Sequence, residues 1–449
     1  MTPLRIVPSA VPLDRQQAAV AIFRPFFAAG IACVLTVGCL LGALALFGIA
    51  QRGSYTASAW TPYVLAHANS QLFGWVGLFV MGFALQQHGP SVARTASFHR
   101  LAYTSLGLMA AGVLLRFAAE PLVRVDRSVW MPVGIAACAF QAIAVALFLT
   151  NTQINRHKSG EGLTWQSAFV FSSLSWLALV AAAEPFAFYL SHQADPQSSI
   201  LFVAGWFPVL REAQFLGFAA MMIFGVSLAK FGSCFGWKPA YRSWGLAGLG
   251  LWCTALVCRI VGWRVAFVSE FAPGSVNLFT CGGALFLIGG VALLKSSRIL
   301  ERPQSPQRSH KFVRAAYGWM IAAGLMMALE PLHLAAIGAP FSHAFTGAVR
   351  HAVTVGFISQ MILGVGIHVV SRLTGTDESK RTALWATFVL LNLGNAARVG
   401  LEWMTDYQPD AFIPMGWTGF VELVAIGLWA LEMGRMMMAK RALPAHASC

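Results

Sequence analysis

Apolar runs of about 20 residues follow one another along almost the whole chain. A run of that length crosses a ~30 Å hydrocarbon layer as helix, where every backbone polar group must be satisfied inside the span. Of the 449 residues 57% are hydrophobic and only 11% are charged, whereas an ordinary globular domain is about a quarter charged. The expected fold is an all-α polytopic membrane protein, a single membrane domain over 1–449, with no stretch polar enough for a separate soluble domain. Arg5, Arg15 and Arg24 precede the first run, which lacks a small-residue cleavage site leading into a polar mature sequence. It reads as a retained span rather than a signal peptide.

Twelve transmembrane helices are expected, near 26–49, 63–87, 101–123, 130–150, 165–191, 203–229, 243–268, 275–295, 312–335, 342–370, 382–403 and 412–437. Most Lys and Arg residues fall in the N-terminus, the loops from even to odd spans and the C-terminus, while the opposite side holds only Arg52, Arg124 and Arg127. By the positive-inside rule both termini are cytoplasmic. The net charge of +14 is thus a topology signal and implies no nucleic-acid partner. Cys33, Cys39, Cys138, Cys234, Cys253, Cys258, Cys281 and Cys449 form no Cys-x-x-Cys pair, and all but Cys449 lie in or beside apolar runs. They read as inert thiols rather than a disulfide framework or thiolate metal site.

One pattern occurs three times: Gly74 and Gly82, Gly217 and Gly225, Gly356 and Gly364, each first glycine followed by an aromatic (Trp75, Phe218, Phe357). The copies are separated by 143 and then 139 residues, and Arg116, Arg259 and Arg398 keep the same two separations one span further on. The unit is four helices long, giving three pseudo-symmetric four-helix repeats of approximately 20–155, 160–300 and 308–440. Recurrent glycines suit close helix approach in lipid, which supplies no hydrophobic drive to association.

Ionisable groups inside spans are costly and mark functional sites. His67 lies on span 2 and His351 on span 10; in repeat coordinates His351 matches Asn69, so the two histidines are offset by two residues. That is about 200° around a helix, which lets both face one gap between neighbouring helices. Paired imidazoles across a membrane gap suit a haem iron with two axial histidines; the bland alternative is two interhelical hydrogen bonds. Arg116, Arg259, Arg350 and Arg398 are candidates for haem propionates, and Arg116 and Arg398 each have an acid four residues on, Glu120 and Glu402, as structural helix pairs also do. Glu212 occupies the equivalent place in the middle copy and is the candidate proton-handling group. Glu184-Pro185 and Glu330-Pro331 read as packing or capping acids at helix ends, with the proline breaking the helix, or else as proton-path groups. His88, His99, His157, His310 and His446 read as solvated loop or tail residues; His333 and His343, at the outer edge with His192, could share a metal, and His368 belongs to a different layer from His351.

This plan resembles haem-copper oxidase subunit I, which implies a low-spin haem between spans 2 and 10. In that family copper needs a histidine on span 6 and a histidine pair at the start of span 7, where this chain has Glu212 and no histidine, and Val349 stands where the second span-10 histidine would. The oxygen-reducing centre is expected to be absent. The chain is more closely similar to the NnrS family, haem-containing membrane proteins linked to nitric-oxide metabolism and nitrosative stress and also reported to contain copper. The similarity rests on Phe23-Arg24-Pro25-Phe26-Phe27, on His67 with Gln71-Leu72-Phe73-Gly74, and on Arg350-His351-Ala-Val-Thr-Val-Gly356 with Met361-Ile-Leu-Gly364. Asn69 replaces the second histidine of the family's His-x-His, and Ile367-His368 a Thr-Arg; both departures argue against copper and against direct nitric-oxide chemistry.

The expectation is a protein of the bacterial cytoplasmic membrane holding one haem b between His67 and His351, for electron transfer or redox sensing in nitric-oxide or metal stress. If an enzyme, it is an oxidoreductase, with redox proteins or quinol as partners besides the lipid bilayer. A repeat-built transporter and a cofactor-free assembly partner of a respiratory complex are the rival classes; substrate flux that survives loss of His67, or co-purification without cofactor, would favour them.

Overall fold

The computed structural model describes residues 22–55, 59–88, 96–160, 162–272 and 274–439. Arg5, Arg15, His446 and Cys449 lie outside them. Twelve helices are long and apolar enough to cross a membrane: α1 (Phe23–Arg52), α2 (Thr61–Gln87), α3 (Ala96–Leu122), α4 (Arg127–Lys158), α5 (Ser167–Ser191), α6 (Pro196–Cys234), α7 (Arg242–Val268), α8 (Asn277–Ser297), α9 (Ser309–Ile337), α10 (His343–Thr374), α11 (Ala383–Met404) and α12 (Pro409–Met438). The chain is a multi-pass membrane protein in contact with the bilayer.

Several helices reach past the apolar runs, because hydropathy marks only the part that sits in lipid while caps set the true ends. Asp126 accepts hydrogen bonds from the Ser128 and Val129 amides at 3.0 and 3.3 Å and starts α4. Asp195 takes those of Gln197 and Ser198 at 3.2 and 2.9 Å and starts α6, seven residues before the apolar run. At the other end of α9, Gly338 adopts φ 65°, the left-handed conformation that closes a helix without a Cβ penalty.

The helices alternate in direction, so the bundle has two distinct ends. At one end Tyr55, just after α1, meets Thr405 and Met415 from the α11–α12 junction. At the other, the basic end, His368 near the end of α10 reaches the Cys234 carbonyl at the end of α6, and Arg308 before α9 reaches the Arg381 carbonyl before α11. In sequence α2, α6 and α10 are apolar like the rest, but they form the centre: 72%, 67% and 72% of their membrane stretches are buried, against 33–50% for the other helices. Packing of α12 on α1 closes the bundle.

The recurrent glycines are contact points. A Cβ on Gly82 would strike Phe26, one on Gly225 Phe169 and one on Gly364 Phe312. Gly74, Gly217 and Gly356 are covered in the same way by Cys33, Trp176 and Trp319. Each central helix therefore rests on the helix before it in sequence, α1, α5 or α9, through paired notches. The central helices also share a local widening that no sequence period announces: π-helical turns over Ser70–Gly77, Ala213–Ala219 and Ala352–Ser359. A fourth π-turn covers Val34–Gly38 in α1. Such turns break the i to i−4 ladder and recur at functional sites.

Two expectations fail. The prolines after Glu184 and Glu330 do not end their helices; α5 runs on to Ser191 and α9 to Ile337. Spanning helices tolerate proline because neighbouring groups take up the freed backbone. His310 is not solvated. It sits in the first turn of α9, 4% exposed, between Trp237 and Phe235.

Candidate functional site

Each π-turn of the three central helices begins one residue after a polar side chain: Asn69 on α2, Glu212 on α6 and His351 on α10. The three have different partners. Asn69 forms a reciprocal amide pair with Gln141 of α4, at 2.7 and 3.2 Å. Glu212 accepts from Arg259 of α7 at 3.1 and 3.2 Å, so the candidate proton-handling carboxylate is held in an ion pair. His351 faces Glu402 of α11, whose Oε2 lies 3.4 Å from Nδ1.

His67 lies two residues before Asn69 and turns the other way, towards α1. Its Nδ1 is 2.9 Å from the Gly38 carbonyl. Since a carbonyl only accepts, Nδ1 is the donor. That carbonyl belongs to the last residue of the α1 π-turn, where the backbone leaves helical geometry (ψ −106°). The His67 ring lies over Gly42, where any side chain would meet its Cε1 and Nδ1. His351 is tied similarly: Nδ1 donates to the Gly347 carbonyl one turn earlier, 3.0 Å away. Gly347 also leaves the room that the Glu402 carboxylate fills. In both rings the proton is therefore on Nδ1, and Nε2 is a lone-pair nitrogen with no hydrogen-bond partner among the described residues. The two rings are near enough for the charge on one to act on the other, and Arg211 and Arg398 lie within the same reach of His67.

The arginines divide into two kinds. Arg116 of α3 is held by Glu120 at 2.6 Å and Glu184 of α5 at 3.4 Å, beneath the Phe188 ring. His192 closes that group through Glu120 at 3.1 Å. Arg259 is held by Glu212 and by Glu330 of α9 at 3.2 Å, with Phe279 against its guanidinium. Both are clamps between neighbouring helices, and the two acids that precede prolines complete them. Arg398 meets only Glu402, at 2.9 and 3.0 Å, and its Nε is buried without a partner. No hydrogen bond or ion pair ties the Arg350 side chain to any described residue. Arg211, absent from the first set of site candidates, is buried and bonds only the neutral Gln214. Cations without a carboxylate are thus left at Arg350 and Arg211, and Arg398 keeps an unpartnered Nε beside its one carboxylate.

Glu422 of α12 is a further residue that sequence reading passed over. It is 6% exposed with Oε1 unpartnered, and the charges of His351, Arg398 and Glu402 act on it. A single glutamate in a long apolar run (Phe-Val-Glu422-Leu-Val) was the available signal. His333 is not free to share a metal with His343. Trp403 Nε1 donates to its Nδ1 at 3.0 Å, so Nε2 donates to Asp406 at 2.8 Å. Among the described residues no three His, Cys, Asp or Glu side chains form a metal-binding group, and the seven described cysteines are all free thiols.

A family model described as NnrS protein matches residues 20–441. The chain belongs to the NnrS family. The match takes in all twelve helices and both histidines, so membership covers the whole bundle and not a module within it. No curated protein matches the chain.

Proposed function

We propose that this NnrS family member holds one haem b between His67 and His351 and works in electron transfer or redox sensing under nitric-oxide, nitrosative or metal stress. The observation that carries the reading is the state of the two rings. Each has Nδ1–H fixed to a backbone carbonyl, which sets the tautomer, orients the ring and raises its basicity, and each presents a bare Nε2. The donor set fits the group, because two neutral imidazoles are a complete axial pair for a haem iron. Bound haem would supply a one-electron couple.

The chain's own residues would do the rest. Gly42 keeps α1 clear of the His67 ring, and Glu402 holds the His351 ring from the α11 side. Arg350, Arg398 and Arg211 would meet the propionates, whereas Arg116 and Arg259, already balanced by two carboxylates each, would hold the frame. Glu212 stands on α6 where a copper-binding histidine would be needed and is paired with Arg259, which supports a haem protein without an oxygen-reducing haem-copper centre.

The frame is best read as three four-helix units around α2, α6 and α10. Support comes from the π-turns, whose starts at 70, 213 and 352 repeat the glycine separations of 143 and 139. It comes also from Phe26, Phe169 and Phe312, each 143 residues from the next, which cover equivalent glycines. The basic loops favour both termini on the cytoplasmic side of a bacterial inner membrane, and quinol or a redox protein would be the electron partner. The test is haem quantification on protein purified from haem-replete cells. One haem b per chain is expected; haem-free protein of intact helicity would overturn the reading.

A further inference from the structure

At the basic end of the bundle a cavity of about 810 Å³ opens between the start of α9, the loop before it and α11. Its wall includes Leu300, Arg302, His310, Lys311, Arg314 and Phe388. None of these residues takes part in the histidine site. Two carry polar atoms that are shut off from solvent and make no hydrogen bond. Lys311 Nζ rests over the Trp385 ring at 3.4 Å, with Phe388 at 5.3 Å, and has no acceptor. His310 takes the Gln307 amide proton on Nδ1 at 3.2 Å, so its own proton is on Nε2, and that donor is unpartnered although the residue is 4% exposed.

The acids nearby are already engaged. Glu378 takes the Ser309 amide and hydroxyl at 2.9 and 3.2 Å, and Glu301 pairs with Arg298 and Lys238. Arg314 bonds only the Ile299 and Glu301 carbonyls, which leaves its charge unbalanced, and Arg302 makes no bond to any described residue. Unused donors, surplus cations and the positive end of a 29-residue helix converge on one space. An apolar rim is supplied by Leu300 of the wall, 73% exposed, and by Trp385, which packs against Lys311 and is 54% exposed. Phosphate alone would have no use for that rim.

We propose that this cavity binds the phosphate headgroup of an anionic phospholipid from the leaflet at the basic end, with Lys311 and His310 as donors, Arg302 and Arg314 as counter-charges, and the acyl chains along Leu300 and Trp385. Basic pockets between helix ends on this side of a membrane are suited to such headgroups.

Purified protein in detergent is titrated with phosphatidylglycerol, phosphatidylcholine or inorganic phosphate and followed by native mass spectrometry. Phosphatidylglycerol should be retained and phosphatidylcholine lost. Lys311→Gln and Arg302→Gln should each weaken retention, by about fivefold per charge removed. Arg302 has no structural contact, so its variant separates lost binding from lost folding. Equal retention of both lipids, unchanged affinity in Lys311→Gln and Arg302→Gln, or competition by millimolar inorganic phosphate that displaces the lipid would overturn the proposal.

Discussion

The Nδ1 proton of His67 is given to the carbonyl of Gly38, 2.9 Å away on the preceding helix. That carbonyl ends the π-turn at Val34–Gly38, where the backbone leaves helical geometry, so an irregularity in α1 lies at the contact that fixes the tautomer of a ring on α2.

The same helix leaves room for the ring through Gly42. A Gly42→Leu side chain would occupy the space of His67 Cε1 and Nδ1 and swing the ring away. Haem content per folded protein, read as the ratio of Soret absorbance to protein, should fall severalfold while helicity is kept. Normal loading would show that ring position does not matter.

Arg116 is predicted to act on stability rather than on the cofactor. Arg116→Met leaves Glu120 and Glu184 buried without their counter-charge. Breaking a buried pair in this way costs ~3–5 kcal/mol. Thermal unfolding in detergent should shift down markedly, and the protein that remains folded should keep its haem stoichiometry. An unshifted unfolding curve would remove Arg116 from the frame.

Arg350 should behave in the opposite way. It holds no acid, so Arg350→Gln should leave the unfolding temperature nearly unchanged. Removing a cation favours the oxidised, more positive state. The haem midpoint potential should therefore fall by tens of millivolts, where ~59 mV is a tenfold change for one electron, and Arg350→Lys should recover most of the shift. An unaltered potential in Arg350→Gln would place the propionates elsewhere.

The helix caps predict a pH limit. Hydrogen bonds from Ser128 and Val129 hold the Asp126 carboxyl below the usual range, and those of Ser198 and Gln197 do the same for Asp195. A depressed folded value means that the contribution is complete above the unfolded value of about 3.9. It is lost as pH falls through the folded one. Thermal stability should decline on acidification below about pH 4, and the Asp126→Asn/Asp195→Asn protein, which keeps a capping side chain, should decline less. Identical acid profiles would rule the caps out.

The twelve helices were legible because each apolar run must span the bilayer, and the separations of 143 and 139 were legible because glycines at helix contacts tolerate little change. The two-residue offset of His67 and His351 also reads directly from the sequence. What was not legible came from tertiary packing. Nothing local distinguishes a π-turn such as Val34–Gly38 from ordinary helix, and the carbonyl partner of the His67 ring sits at its end. Glu184 and Glu330 read as helix ends because proline usually stops a helix in water, whereas here they reach across to Arg116 and Arg259. His310 reads as a loop residue, and only the packing of Trp237 and Phe235 buries it.

The central claim is that the two Nε2 atoms are the axial ligands of one haem. The most direct measurement is the reduced-minus-oxidised absorption spectrum of purified His67→Ala and His351→Ala, beside the unaltered protein. The unaltered protein should give the sharp α band of a six-coordinate, low-spin haem b, and each substitution should abolish that band, with haem lost or left high-spin. An α band of unchanged position and height in either variant would contradict the account.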